Sequence, residues 1–330
     1  MHPALERIAG KRVLVIGDVM LDHYVWGDVN RISPEAPVPV VRVTRENDMP
    51  GAAANVAVNL AALDACPVMF SIIGNDREGR RLRELLEQKH VDCRFLVADD
   101  KLATTRKVRI IARSQHVVRV DWDGMLAYEA VERSGLQRAF EQSLAQCDAV
   151  IVQDYNKGLV TQAFFDMIRA ARVPVIVDPN RYHSVRYAGT VVTPNLEEAR
   201  IVSGVSCESE EALQRLPEIA AGIFARHAVE HAVITLGEHG IALCERTGEI
   251  RTCPVAQTHE VYDVSGAGDT VAAVLGGMLA GKADLWTACL IANAAGSIVV
   301  GKMGTATTTR SEIQHLLDAN DLSLPAELSQ

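Results

Sequence analysis

The stretch richest in chemistry is Asp263-Val-Ser-Gly266-Ala267-Gly268-Asp269-Thr270, which runs into a small, apolar segment ending at Ala280. Glycines just before a helical run let the backbone N–H groups of the first turn converge on an anion, and the helix dipole adds positive potential there. Gly266, Ala267 and Gly268 are candidates for such an anion hole. Beside it, at the helix start, the Asp269 carboxylate could accept a proton from an attacking hydroxyl while the amides stabilise a transferring phosphoryl group. Asp is also a favoured N-cap, so spacing alone leaves a purely structural role equally open.

Other candidates follow the same logic. Asn195-Leu-Glu-Glu198 opens a helical run after Val191-Val-Thr-Pro194, placing an amide and carboxylates near a strand end; a metal role for Glu198 would run through water, as magnesium prefers. Asp18 and Asp22 flank the end of the first strand, and Gly51-Ala-Ala-Ala-Asn55 opens a small-residue helix that a ligand can approach closely. Short carboxylates and an Asn suit sugar hydroxyls. Between 101 and 120 lie six basic residues, Arg106, Lys107 and Arg109 among them, and no acidic one, a candidate phosphate-facing patch. Two tempting motifs are declined. Gly276 to Lys282 reads G-x-x-x-x-G-K, but Ala283 replaces the required Ser/Thr and the glycines fall in a helix. His227-Ala-Val-Glu-His231 has an inverted-zincin spacing but no third ligand, at a helix-to-strand junction.

The elements that must position these residues are short β-branched runs, Val13–Ile16, Ala149–Val152, Val175–Val177 and Ala232–Leu236, each ending in Gly or Asp. Helical segments separate them, including Arg77–Lys89, Thr161–Arg172 and Ser209–Arg226. Such alternation predicts an α/β fold with a mainly parallel sheet covered on both faces, and ligands bind beyond the carboxyl ends of its strands. Val38–Val43, Thr105–Arg113 and Val117–Val120 instead alternate, which predicts a small antiparallel sheet with one wet face.

Composition narrows the function classes. The 330 residues carry a net charge of −9, which argues against a nucleic-acid or anionic-membrane partner. The charge is uneven: residues 1–120 are net +3 and the remainder net −12, so an anionic ligand should touch the N-terminal part. Seven cysteines without a C-x-x-C pair suggest reduced thiols rather than a disulfide scaffold or zinc ribbon. With no signal-like core and no apolar run long enough to span a bilayer, a soluble cytoplasmic protein is expected.

Taken in order, Gly17-Asp18-x-x-x-Asp22, Gly51-x-x-x-Asn55, Asn195-x-x-Glu198 and Asp263-x-x-Gly-Ala-Gly-Asp269 resemble the ribokinase/PfkB family of carbohydrate kinases, the likeness running from about Lys11 to Glu312. Asp154-Tyr-x-Lys157-Gly158, Glu260-Val-Tyr-Asp-Val264 and Val300-Gly-Lys-x-Gly304 point within it to kinases of a heptose 7-phosphate, a step toward ADP-heptose and lipopolysaccharide core. The resemblance implies ATP with Mg2+, Asp269 as general base, and Asn195 and Glu198 organising magnesium and phosphates. It further implies Thr235, Gly237 and Gly240 bordering the nucleotide, Asn293 closing its adenine side, and Asp18, Asp22, Gly51 and Asn55 on the sugar. Lys157, Arg106, Lys107 and Arg113 become candidates for phosphate contact. A ribokinase-like single domain is expected, with lid strands at roughly 20–48 and 100–122 through which two copies pair. The His-x-Gly-His motif of the nucleotidyltransferase often fused to such kinases does not occur, so a stand-alone kinase is expected. Two departures stand out: Ala52 replaces the second of two glycines, and Asp178-Pro-Asn180-Arg181 replaces Asp-Pro-Lys-Gly. Alternatives are another sugar or sugar-phosphate kinase of this fold, or a binding regulator that has lost catalysis.

Overall fold

The computed structural model describes residues 1–112, 115–124, 136–181, 185–256, 264–302 and 304–320. Its strands are β1 (Arg12–Gly17), β2 (Val19–Ile32), β3 (Pro39–Ala52), β4 (Cys66–Gly74), β5 (Asp92–Asp99), β6 (Arg106–Ala112), β7 (Gln115–Trp122), β8 (Ala149–Gln153), β9 (Val175–Asp178), β10 (Val191–Val192), β11 (His231–Thr235), β12 (Ile241–Glu245) and β13 (Ile250–Cys253). The helices are α1 (Pro3–Glu6), α2 (Ala53–Ala62), α3 (Arg77–Gln88), α4 (Leu136–Leu144), α5 (Gln162–Arg169), α6 (Leu196–Ser203), α7 (Leu216–His227), α8 (Ala267–Ala280), α9 (Leu285–Val300) and α10 (Arg310–Ala319).

The main sheet runs β13-β12-β11-β10-β9-β8-β1-β4-β5, parallel from β5 to β11 with an antiparallel edge of β12 and β13. Alternation explains why β1 is a continuous apolar run. Val13 and Val15 join the core on one face with α2, α8 and α9, while Leu14 and Ile16 join the core on the other with α5 and α7. A strand covered on both faces has no wet side to mark with polar residues.

The second sheet runs β3-β2-β6-β7. It is mixed rather than antiparallel as expected: β2 and β6 pair in parallel, Leu21 beside Arg106 through Gly27 beside Ala112. β2 follows directly on β1 and β6 follows on β5, so both leave the main sheet in the same direction and run side by side. The helix expected over Ser209–Arg226 is also divided, into a 3-10 turn at Ser209–Glu211 and α7 from Leu216. Pro217 lies in the first turn of α7, where its missing N–H is harmless, whereas mid-helix it would break a bond. None of the described helices is long and apolar enough to cross a membrane.

Candidate active site

The ends of β1, β8 and β9 and the starts of α2 and α8 deliver the candidate residues to one place, and Asp269 is at its centre. Gly266 is the N-cap of α8 with φ 82°, a left-handed conformation that glycine adopts without strain, and a Cβ there would lie 2.7 Å from Asn55 Nδ2. Ala267 N–H reaches Val264 O at 3.3 Å, and the Gly268 and Asp269 N–H groups have no acceptor among the described residues. Among the described residues a Cβ on Gly268 would meet nothing within 4 Å, so they leave the candidate anion hole open.

Asp269 is only 6% exposed. Asn55 Nδ2 donates to its Oδ2 at 2.8 Å; Tyr155 Oη and Gln153 Nε2 donate to its Oδ1 at 3.3 and 3.4 Å. Burial pushes its carboxyl up to about 6, opposed by the hydrogen bond from Asn55. The side chain is therefore ionised at neutral pH and still basic enough to accept a proton. Burial and the Asp269 charge also raise the Tyr155 phenol, which keeps it a neutral donor.

Asp18 is likewise buried and pushed up to about 6, burial outweighing hydrogen bonds from the Lys157 and Tyr155 backbones. Its Oδ2 accepts both N–H groups at 3.0 Å, while its Oδ1 has no hydrogen-bond partner among the described residues. A buried acceptor left open this way is matched by a ligand hydroxyl. Asp22 is buried against the Arg109 guanidinium, yet burial still holds its carboxyl above the usual value. Gly51 makes room for it: a Cβ at Gly51 would lie 2.4 Å from Asp22 Oδ2. Next in the chain, Ala52 takes φ 56°, ψ −131°, a conformation suited to glycine, as the N-cap of α2.

Where the resemblance places the nucleotide, Asn195 and Glu198 form a capping box at α6, with Asn195 Oδ1 accepting from Glu198 N–H at 2.9 Å and Glu198 Oε2 from Asn195 N–H at 3.0 Å. Thr235 bridges to Asn195, Gly237 begins the turn after β11, and Leu236 N–H donates to Gly240 O at 2.7 Å. Asn293 is turned away from open space: its Nδ2 donates to Pro254 O at 2.7 Å, tying α9 to the end of β13. Asp178 is held well above the usual carboxylate range by burial and the charges of Glu198, Asp269 and Asp154. This surplus of negative charge, with a Glu198 oxygen free of the cap, fits a divalent cation held through water. Among the described residues no group of three or more His, Cys, Asp or Glu is placed to hold a metal by itself. Asn180, which stands where a lysine was expected, is buried and donates to Asp154, whose carboxylate also accepts from Tyr187 Oη at 2.7 Å.

The basic patch is divided by strand alternation and matched by acids from elsewhere. Lys107 and Arg109 side with Asp22 and Asp121, Lys107 Nζ lying 2.9 Å from Asp121 Oδ2. Arg106 takes the opposite face, 3.6 Å from Glu78 and over the Trp122 ring, lining a cleft of about 660 Å³ between the small sheet and α3. It is not brought to the site. Lys157 reaches Asp123 at 2.7 Å. Arg113, Asp263 and the residues 260–262 lie outside the described residues.

Comparison with known proteins decides the family. A model described as "pfkB family carbohydrate kinase" matches residues 11–312. The chain belongs to the pfkB family of carbohydrate kinases. This pfkB kinase is 43% identical to a D-beta-D-heptose 7-phosphate kinase from Bordetella bronchiseptica, covering 94% of the chain and 97% of that protein. It is 40% identical to the bifunctional protein HldE of Coxiella burnetii over 93% of the chain, but spans only 63% of HldE. Arabidopsis thaliana ribokinase, solved with ribose and ATP, superposes with a TM-score of 0.70 at 18% identity, covering 94% of this chain and 99% of that one. The fold is ribokinase-like.

The residues missed as site members are Gln153, Tyr155 and Asn59. Gln153 is a fully buried polar residue closing an apolar strand, a signal that was present. Asn59 is a polar residue in an otherwise apolar helix, four positions after Asn55, and that spacing was the signal for it.

Proposed function

We propose that this pfkB kinase transfers the γ-phosphoryl group of ATP to the anomeric oxygen of D-glycero-β-D-manno-heptose 7-phosphate, giving the 1,7-bisphosphate on the way to ADP-heptose. The observation that carries it is end-to-end 43% identity with a heptose 7-phosphate kinase, joined to a buried, donor-fixed carboxylate beside an open helix N-terminus. Asp269 accepts the hydroxyl proton as O1 forms its bond to phosphorus and the bond to the β-phosphate oxygen breaks, releasing ADP. The Gly268 and Asp269 N–H groups face the charge on the transferred group. Asp18 Oδ1 accepts from a sugar hydroxyl. Glu198 and Asp178 would hold magnesium through water, and the ion when bound neutralises phosphate charge.

The small sheet is the lid over the sugar, part of one kinase domain. Its exposed Val118, Val120 and Trp122 favour pairing with a second copy. The deciding experiment is ADP release measured with heptose 7-phosphate, ribose and fructose 6-phosphate in parallel. A clear preference for the heptose is expected; equal or better turnover of another sugar overturns the substrate, and no turnover of any overturns catalysis.

A further inference from the structure

Three buried polar side chains form a chain of hydrogen bonds behind the base. Asn59 Nδ2 donates to the backbone O of Asn55 at 3.0 Å and lies 3.3 Å from Asn55 Oδ1, and the Thr270 hydroxyl, 3.1 Å from Asn59 Oδ1 and 3.0 Å from Gly266 O, shares its one proton between those two acceptors. Asn55, Asn59 and Thr270 are at most 1% exposed. A backbone carbonyl only accepts, so the atom of Asn59 facing Asn55 O must be its NH2, and its Oδ1 must then face the Thr270 hydroxyl. With Asn59 NH2 against Asn55 Oδ1, the Asn55 NH2 is the end left for Asp269, 2.8 Å away. The orientation of each amide fixes the next.

We propose that Asn59 is a positioning residue for phosphoryl transfer: held by Thr270, it sets the Asn55 amide so that a donor, never an acceptor, faces the base Asp269. The inference rests on Asp269 being the base. Asn59 has no route of its own to a ligand, being on the far side of Asn55 in α2, one turn along. Without it, Asn55 Oδ1 is buried with no donor, and the two amide orientations no longer differ by that bond. Turned over, Asn55 would aim an oxygen at a carboxylate, which disfavours the ionised base. The Asn55 hydrogen bond lowers the Asp269 pKa, in agreement with that direction.

The test uses Asn59→Leu, Asn55→Leu and the double variant, with the pH dependence of kcat/KM, the KM for ATP and Tm measured on each. Asn59→Leu is expected to lower kcat about tenfold and to move the acid limb of kcat/KM upward by about half a pH unit or more, with the KM for ATP unchanged. Adding it to Asn55→Leu should cost less than about twofold further. Loss of Tm with an unmoved acid limb, or independent additive losses in the double variant, overturns the proposal. If Asn59→Leu fails to fold, Thr270→Val, which removes the hydroxyl behind Asn59 together with its bond to Gly266 O, should move the limb in the same direction by a smaller amount; an unmoved limb there overturns it equally. Asp269→Asn separates the two readings. A dead Asp269→Asn with an unaffected Asn59→Leu leaves the base and removes the relay, whereas an active Asp269→Asn removes the base assignment itself.

Discussion

The floor of the candidate site and the small sheet proposed as its lid hold their charges by opposite means. On the floor, Asp269 and Asp18 are buried carboxylates steadied by neutral donors, and burial pushes both up to about 6. On the lid, charges are met by charges: Asp22 by Arg109, Lys107 by Asp121, Arg106 by Glu78. Neutral donors hold a carboxylate in place and leave it basic, which suits proton transfer. Ion pairs fix geometry but quench the charge that a phosphate would otherwise see. The floor is built to react and the lid to hold.

Asp269→Asn breaks the comparison at its strongest point. It should lower kcat by 10²–10⁴-fold with the Kd for ATP within about threefold, by single-turnover assay and calorimetry; retention of more than about a tenth of the activity removes Asp269 as base. The same variant should be more stable than wild type at pH 8 by about 1–3 kcal/mol. The wild-type carboxyl titrates near 6 folded and near 3.8 unfolded, so burial costs stability above 6 and the cost disappears as pH falls through that window toward 3.8. The stability difference between the two proteins should vanish with it in urea titrations.

Arg109→Met tests the lid's rule. It strands the buried Asp22 carboxylate and should cost about 3 kcal/mol of stability, read by chemical denaturation. A smaller effect comes from pH alone: kcat/KM should fall below about pH 6 as Asp269 and Asp18 take up protons, and an acid limb near 4 would contradict the burial of both. Ala52→Gly should raise stability by about 1 kcal/mol by relieving the φ of 56° at the start of α2. The smallest change separates the faces of β6: Lys107→Met should raise the sugar-phosphate KM severalfold, and Arg106→Met should leave it within twofold.

How much of this was legible in the sequence follows the same division. The parallel sheet could be read directly, because buried parallel strands are continuous apolar runs, and so could the start of a helix at Gly266–Asp269, from its glycines. The small sheet was legible as alternating strands, but not its parallel β2–β6 pairing, which depends on where two distant strands leave the main sheet. The stretch free of acids between 101 and 120 was misleading as a patch, because Glu78, Asp22 and Asp121 come to it from other segments. Tyr155 was invisible as a site residue because only the fold carries it to Asp269, and the link of Asn59, one helical turn from Asn55, to the base was invisible because only the fold brings Asn55 to Asp269.

The pairing of β6 along β2 has a consequence for how this chain tolerates length changes. Losing or gaining one residue at the entry to β6 would turn every side chain after it to the opposite face, sending Arg106 and Val108 toward Asp22 and Lys107 and Arg109 toward α3. The lid can therefore accept substitutions far more readily than single-residue insertions or deletions, and homologues that differ in length here must make up the difference before Arg106 or after Ala112.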